Sequence, residues 1–333
     1  MDSLTQITLG AAVGEAVLGK KVGNRAMVWG AIGGTLPDLD VLSNLTADEM
    51  SALALHRAFT HSFVFSFLAP LLLGWLVYRI YEHKGHFFSW QPWRDFVLIY
   101  LALLVMVIAG IIGMPIPAGT AIWAAAIICL GFCFFPLLAF LREKLRRRDS
   151  KAERVGWQSW AWLFFWVIFT HPLLDACTTY GTQLFQPFSD WRVAVNTISV
   201  VDPLYTLPFL ICVIAASIAS RQKRWRSIVN YIGIGISSAY LLFTFYNKIR
   251  VDRIFEQSLD QQQISYKRFS SSPTILNNLL WQAVAESDTA FHIGFYSILD
   301  SVPRVQSFTS VPKNHHLLEG HEEDRSVRIL TWF

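Results

Sequence analysis

Between Phe96 and Leu141 the chain carries no charged residue. A core helix of a soluble domain rarely runs so long. At ~20 residues per crossing, the stretch is long enough for two bilayer spans. Met114-Pro115-Ile116-Pro117-Ala118-Gly119 supplies the turn between them. Further apolar runs follow the same logic: Ser62 to Tyr78, Trp157 to Asp175, Pro203 to Ser220 and Ser227 to Asn247. Two shorter apolar pieces, Leu4 to Leu18 and Ala26 to Leu36, lie at the N-terminal end. The first holds Gly10, Ala11, Ala12 and Gly14, small residues that let helices approach closely, and a buried-facing Glu15. Only 16% of the 333 residues are charged, against about 25% in an ordinary soluble domain. These patterns predict an all-α polytopic membrane helical bundle over residues 1–247.

From Lys248 onward Asp, Gln, Ser and Asn become common and no further span is long enough. Residues 248–333 therefore read as a small soluble α+β domain. It is expected to begin with a helix to about Gln263 and to carry strands near Phe291–Ile298 and Ser326–Phe333. The formal charge of +4 is too small to suggest a nucleic-acid partner. Membrane lipids are the expected surroundings. The opening residues, Met1-Asp2-Ser3-Leu4-Thr5, lack a basic region and predict no cleavable leader. All four cysteines (Cys129, Cys133, Cys177, Cys212) sit in apolar segments and read as small buried hydrophobes.

Basic loops stay on the cytoplasmic side. That rule puts the runs 142–154 and 221–226 inside. Counting spans from them places residues 56–61, 176–202 and everything after 247 outside, and residues 38–40 too if the two N-terminal pieces both cross. The count makes no use of the polar motifs, yet it gathers three of them on one face. These are Asp38 and Asp40 after Pro37, His56 and His61 around Arg57, and His171 with Asp175 at the far end of an apolar run.

Ionisable residues at membrane depth are costly and read as functional by default. His171 and Asp175, four residues apart on a helix, project ~40° apart and form a natural chelating pair. Singly, each motif has a commonplace reading: a satisfied polar pair, a turn and helix cap, or interfacial histidines. Together they supply three imidazoles and three carboxylates. Such mixed N and O donors suit Zn²⁺, Mn²⁺ or Fe²⁺, and six ligands are enough for one or two ions.

On this reading Asp38, Asp40, His56, His61, His171 and Asp175 are the candidate ligands, with zinc or manganese as the expected metal. Asp40 or Asp175 is the candidate general base for a metal-bound water. Arg57 and Arg192 are candidates for binding an anionic substrate group. Arg192 has an equal alternative, a salt bridge to Asp190 or Asp202. A serine hydrolase is disfavoured because no GxSxG elbow occurs. A divalent-ion transporter or sensor using the same His/Asp cluster remains the alternative of a different class.

Asp2-Ser3-Leu4-Thr5-Gln6, Gly33-Gly34-Thr35-Leu36-Pro37-Asp38-Leu39-Asp40, His56-Arg57-Ala58-Phe59-Thr60-His61-Ser62 and Thr170-His171-Pro172-Leu173-Leu174-Asp175 with Thr179-Tyr180-Gly181 carry a resemblance. In combination, with Pro187-Phe188-Ser189 and Val201-Asp202-Pro203-Leu204-Tyr205, they are similar to the YdjM-like family of membrane-bound, metal-dependent hydrolases. The resemblance covers roughly residues 1 to 215. It implies a multi-pass protein of a bacterial inner membrane, with the same six residues as ligands. The expected reaction is hydrolysis of an ester or phosphoester in a lipid-like or membrane-associated substrate.

Overall fold

The computed structural model describes residues 1–45, 48–82 and 153–332. The two spans expected within 96–141, the cysteines at 129 and 133, and all but the end of the basic run 142–154 lie outside the described residues.

Helix α1 (Ser3–Gly14) starts on Asp2, whose carboxylate accepts from the Thr5 N–H at 3.1 Å. It runs on through a π-helical stretch, Glu15–Gly19, to a last turn at Lys20–Val22. After Gly23, at φ +65°, the chain returns as α2 (Asn24–Thr35). The two helices cross at van der Waals contact of their backbones. A Cβ placed on Gly10 would meet the Gly30 carbonyl at 2.3 Å, and one on Gly30 would meet Gly10 at 2.2 Å. The small residues that distinguish this segment are therefore the packing surface itself.

A short helix α3 (Glu49–Leu55) and a 3₁₀ turn (Phe59–His61) lead into α4 (Phe63–Glu82). Helix α5 (Trp157–Ala176) lies between α4 and the α1/α2 hairpin. Gly74 of α4 rests on the backbone of Ala161, and Gly33 of α2 abuts Phe164 and Val167. Stacked pairs Phe63–Phe169 and Tyr81–Trp160 join α4 to α5 near its two ends. Helix α6 (Pro203–Ile218), capped by Asp202, packs on α7 (Arg224–Gln261) with Gly233 against Cys212 and Phe209.

Among the described residues, α4 over Phe63–Tyr81 and α7 are long and apolar enough to cross a membrane; α6 is apolar but shorter. Only 22% of the apolar window of α4 and of α7 is buried, as suits faces toward lipid.

Helix α7 explains how bundle and C-terminal region are joined. Its 38 residues span about 57 Å, while a hydrocarbon core is about 30 Å thick. The helix passes through residue 247 without a break, and its second half is the spine of the C-terminal region. There Val251, Ile254 and Phe255 pack against Trp281, Ala283 and Tyr296 of an antiparallel sheet. The sheet is a meander of β1 (Arg268–Pro273), β2 (Leu280–Glu286), β3 (Ala290–Ser297) and β4 (Phe308–Pro312).

The strand expected near Phe291–Ile298 is β3. The strand expected at Ser326–Phe333 is instead helix α8 (Arg325–Trp332). Val327/Leu330 and Ile329/Trp332 repeat at helical spacing. The Thr331 hydroxyl bonds back to the Val327 carbonyl at 2.9 Å. This helix packs on α3, not on the sheet.

The basic loops meet at one end of the bundle. The Arg221 guanidinium donates to the Lys21 carbonyl at 2.5 Å, and the Glu153 N–H donates to the same oxygen at 3.2 Å. The loop 177–202, which contacts the sheet, lies at the opposite end of α5.

Candidate metal centre

His171 and Asp175 lie one turn apart on α5, both fully buried, with Nε2 to Oδ2 at 3.5 Å. Pro172 sits inside the helix, which continues to Ala176. The ring orientation of His171 is fixed from behind, because Nδ1 lies 2.7 Å from the carbonyl oxygen of Gly34. A carbonyl only accepts, so Nδ1 carries the hydrogen and, in the neutral ring, Nε2 presents a lone pair.

His61 comes from the 3₁₀ turn before α4, and its Nε2 lies 3.1 Å from that of His171. Asp38 stands in the 3₁₀ helix Pro37–Leu45 that follows α2. Its Oδ1 is 3.5 Å from His61 Nε2 and 3.4 Å from His171 Nε2. Asp175 Oδ2 is 3.3 Å from His61 Nε2.

These four donors come from three separate stretches of chain and all lie within 4.8 Å of one another. Ligands at ~2.1 Å around a tetrahedral cation are separated by roughly 3.4 Å. The five separations of 3.1–3.5 Å are of that size. Asp175 Oδ2, fully buried, has no well-aligned hydrogen bond, and its nearest charged neighbour is Arg57 Nε at 3.3 Å. Two imidazoles and two carboxylates in so small a buried space make an acceptor-rich cluster of the kind that holds a cation. The residues present fit a divalent ion.

Charge within the group follows from this crowding. Burial opposes the charged form of His61, but hydrogen bonds to Asp175, Asp38 and Asp40 outweigh it and push its pKa up to about 10. Burial likewise works against the Asp38 carboxylate, yet His171 and His61 hold it well below the usual carboxylate range. Without a metal, these carboxylates favour a proton on His61.

The remaining expected residues stand around this core. Asp40 Oδ2 accepts from the Arg57 N–H at 2.6 Å and lies 3.4 Å from His61 Nδ1, while Oδ1 lies 3.0 Å from His56 Nδ1. Burial disfavours its charge, and His56 and His61 more than compensate, so its pKa is lowered. Asp40 thus backs His61 from the side away from the four donors, the usual place for a carboxylate that orients a ligating histidine. His56, partly exposed, faces Asp40 and the edge of Tyr180.

Arg57 is buried at φ +57°, a left-handed backbone held by its N–H bond to Asp40. Its Nε is 3.3 Å from Asp175 Oδ2, and Nη1 donates to Thr178 at 2.9 Å. Arg192 donates through Nη2 to the carbonyls of Leu53 (3.2 Å) and His56 (3.0 Å). Asp202 is occupied elsewhere, capping α6 and accepting from Tyr240 at 2.9 Å.

Four contributors were missed by sequence reasoning. Gln6 Nε2, from α1, donates to Asp175 Oδ1 at 2.9 Å, and the Met1 amine contacts the same oxygen. Thr178 holds Arg57, and the Tyr180 ring lies between the guanidinium groups of Arg57 and Arg192, at 5.0 and 5.5 Å. Gln6, Thr178 and Tyr180 lie in or beside the motif stretches, but as neutral side chains they carried no signal of their own.

The family model described as YdjM inner membrane protein matches residues 1–251. The chain belongs to that family, and the match takes in all four donors. No curated protein matches the chain, and no solved structure matches it.

Proposed function

We propose that this YdjM-family chain is a metal-dependent hydrolase of the inner membrane. Its expected substrate is an ester or phosphoester of a lipid-like or membrane-associated molecule. The observation that carries this reading is the convergence of Asp38, His61, His171 and Asp175, three of them fully buried, at mutual distances that suit one divalent ion.

Such an ion, when bound, supplies Lewis acidity and brings the pKa of a water toward ~7. The protein's own groups divide the remaining work. His61 and His171 offer Nε2, each steered from its Nδ1 side, by Asp40 and by Gly34. Asp175, contacted by Arg57, Gln6 and the Met1 amine, anchors the floor of the site. Asp38 is the exposed member of the four, with 22% of its side chain accessible. It therefore marks the side on which the site opens toward a substrate.

A membrane-derived substrate is supported by the surroundings of that opening. Leu39, Val41 and Phe59, close in sequence to Asp38, Asp40 and His61, are all about half exposed. The site also lies at the end of α5 away from the basic loops, which by the positive-inside rule favours the extracytoplasmic face.

The test is elemental analysis of protein purified without chelators, with assays on phospholipid and acyl-ester vesicles. Stoichiometric metal and metal-dependent hydrolysis, both lost in His171→Ala and Asp175→Ala, are the expected results. Full metal retention in both variants overturns the reading. Flux of a divalent ion into sealed vesicles without hydrolysis replaces it with a transporter.

A further inference from the structure

The family match ends at residue 251, so the sheet and helix α8 lie beyond the matched region. They nevertheless reach back to both arms of the site. On one side, the turn after β1 holds the loop that follows Asp175. The Asn278 side chain donates to the Thr197 carbonyl at 2.8 Å, and the Leu276 N–H donates to the Val201 carbonyl at 3.1 Å. On the other side, α8 docks on α3, the helix that leads into His56 and Arg57.

The second contact has a definite chemistry. The Arg325 guanidinium pairs with Asp48 at 3.2 Å and donates to the Ser51 hydroxyl, at the start of α3. The Trp332 ring lies 5.2 Å from the Arg192 guanidinium carbon. Arg192 in turn donates to the carbonyls at the end of α3 and stacks on Tyr180. Tyr180 stacks on Arg57, and Arg57 pairs with Asp175. Side-chain contacts therefore run without interruption from the C-terminal helix to the innermost carboxylate of the metal centre.

We propose that α8 is a releasable strap over the arm 48–57, with Arg325 and Trp332 as positioning residues for the site. It is releasable because its own anchoring side chains, Arg325 and Trp332, are exposed. A surface ion pair and one guanidinium–ring contact together favour the docked position by about tenfold, no more. None of the side chains of α8 is buried. Docking holds the arm in the conformation that presents Arg57 to Asp175; release frees it. The proposal rests on the hydrolase reading only for its metal readout.

The experiment is hydrogen–deuterium exchange on the full-length protein in nanodiscs, paired with Zn²⁺ affinity measured against a chelating dye. In Trp332→Ala and in Arg325→Ala, amide exchange across residues 48–60 is expected to rise about threefold to tenfold. Exchange across 157–176 should stay unchanged, and Zn²⁺ affinity should fall severalfold. Trp332→Phe, which keeps a ring for the guanidinium, should restore both readouts. Unchanged exchange across 48–60 in both alanine variants overturns the proposal, as does an equal rise in Trp332→Phe and Trp332→Ala. If the wild-type protein takes up neither Zn²⁺ nor Mn²⁺, the hydrolase reading falls, and exchange across 48–60 alone decides the strap.

Discussion

The Nε2 atoms of His61 and His171 face each other across 3.1 Å, although 110 residues separate them in sequence and both rings are buried. At that separation the two nitrogens either share one proton or ligate one cation together. Replacing either ring by alanine removes a donor and leaves two carboxylates with one nitrogen. Metal content measured by mass spectrometry should fall from stoichiometric to background in both variants, with the bundle still folded by circular dichroism.

Proton linkage gives a second check. His61 has its pKa raised from 6.5 to about 10, so at pH 7 the metal-free ring is charged. A ligating nitrogen must be deprotonated, so the metal has to displace that proton. Calorimetric titration at pH 7 in buffers of different ionisation enthalpy should show close to one proton released per ion bound. Affinity should strengthen as pH rises toward 10. Zero proton release would mean that His61 is not a ligand.

The same shifts set the stability of the metal-free protein. A raised histidine pKa gives stabilisation that is full below the unfolded value near 6.5 and is lost as pH climbs through about 10. The lowered Asp38 and Asp40 pKa values give stabilisation that is present above the unfolded value near 4 and is lost on acidification. Thermal unfolding of the metal-free protein in detergent should therefore give a Tm that declines on both sides, with an alkaline limb absent from His61→Gln.

Asp40 orients His61 and does not share the four-donor group. Asp40→Asn keeps the shape and the hydrogen bond from the Arg57 N–H while removing the charge behind the ring. Metal affinity should drop about 10- to 100-fold without loss of stoichiometry at saturating metal. Complete loss of one equivalent would instead make Asp40 a direct ligand.

The α1/α2 crossing gives a prediction independent of the metal. Gly30→Ala places a Cβ 2.2 Å from the Gly10 carbonyl and must push the hairpin apart, at a cost of about 1–3 kcal/mol. Gly235→Ala is the control, since a Cβ there meets nothing within 4 Å. Equal thermal stability of the two variants would show that the close crossing is unimportant.

At the other end of α1, Glu15 and Arg226 are both buried and paired at 2.5 Å. Removing one partner strands a buried charge, so Glu15→Ala should destabilise by about 3–5 kcal/mol. Replacing both with methionine should recover most of that loss in a denaturant titration.

What the chain alone settled was the class of environment and the cast of ionisable groups. Hydropathy and length identify α4 and the membrane half of α7, because a bilayer demands apolar length whatever the packing. The cost of charge at membrane depth marked Glu15, Asp38, Asp40, His56, His61, His171 and Asp175 as residues with a purpose. The similarity seen over roughly residues 1 to 215 extends to 251 as family membership. The opening of the C-terminal region in a helix and its central strand β3 were legible too, whereas Ser326–Phe333 suited either period and needed its packing partner to decide.

Only the tertiary structure gathers four of the six expected ligands, Asp38, His61, His171 and Asp175, within 4.8 Å of one another and sets Asp40 and His56 beside them. Whether a carboxylate meets Nε2 or Nδ1 of an imidazole depends on the 3₁₀ turns that carry Asp38, Asp40 and His61, and on the Gly34 carbonyl behind His171. Those geometries come from packing α2, α4 and α5 together, which sequence spacing does not encode. Gln6 reaches Asp175 across 169 positions for the same reason. A neutral side chain becomes part of an ionic site only when the fold encloses both in one water-poor space, where every unpaired polar atom is expensive.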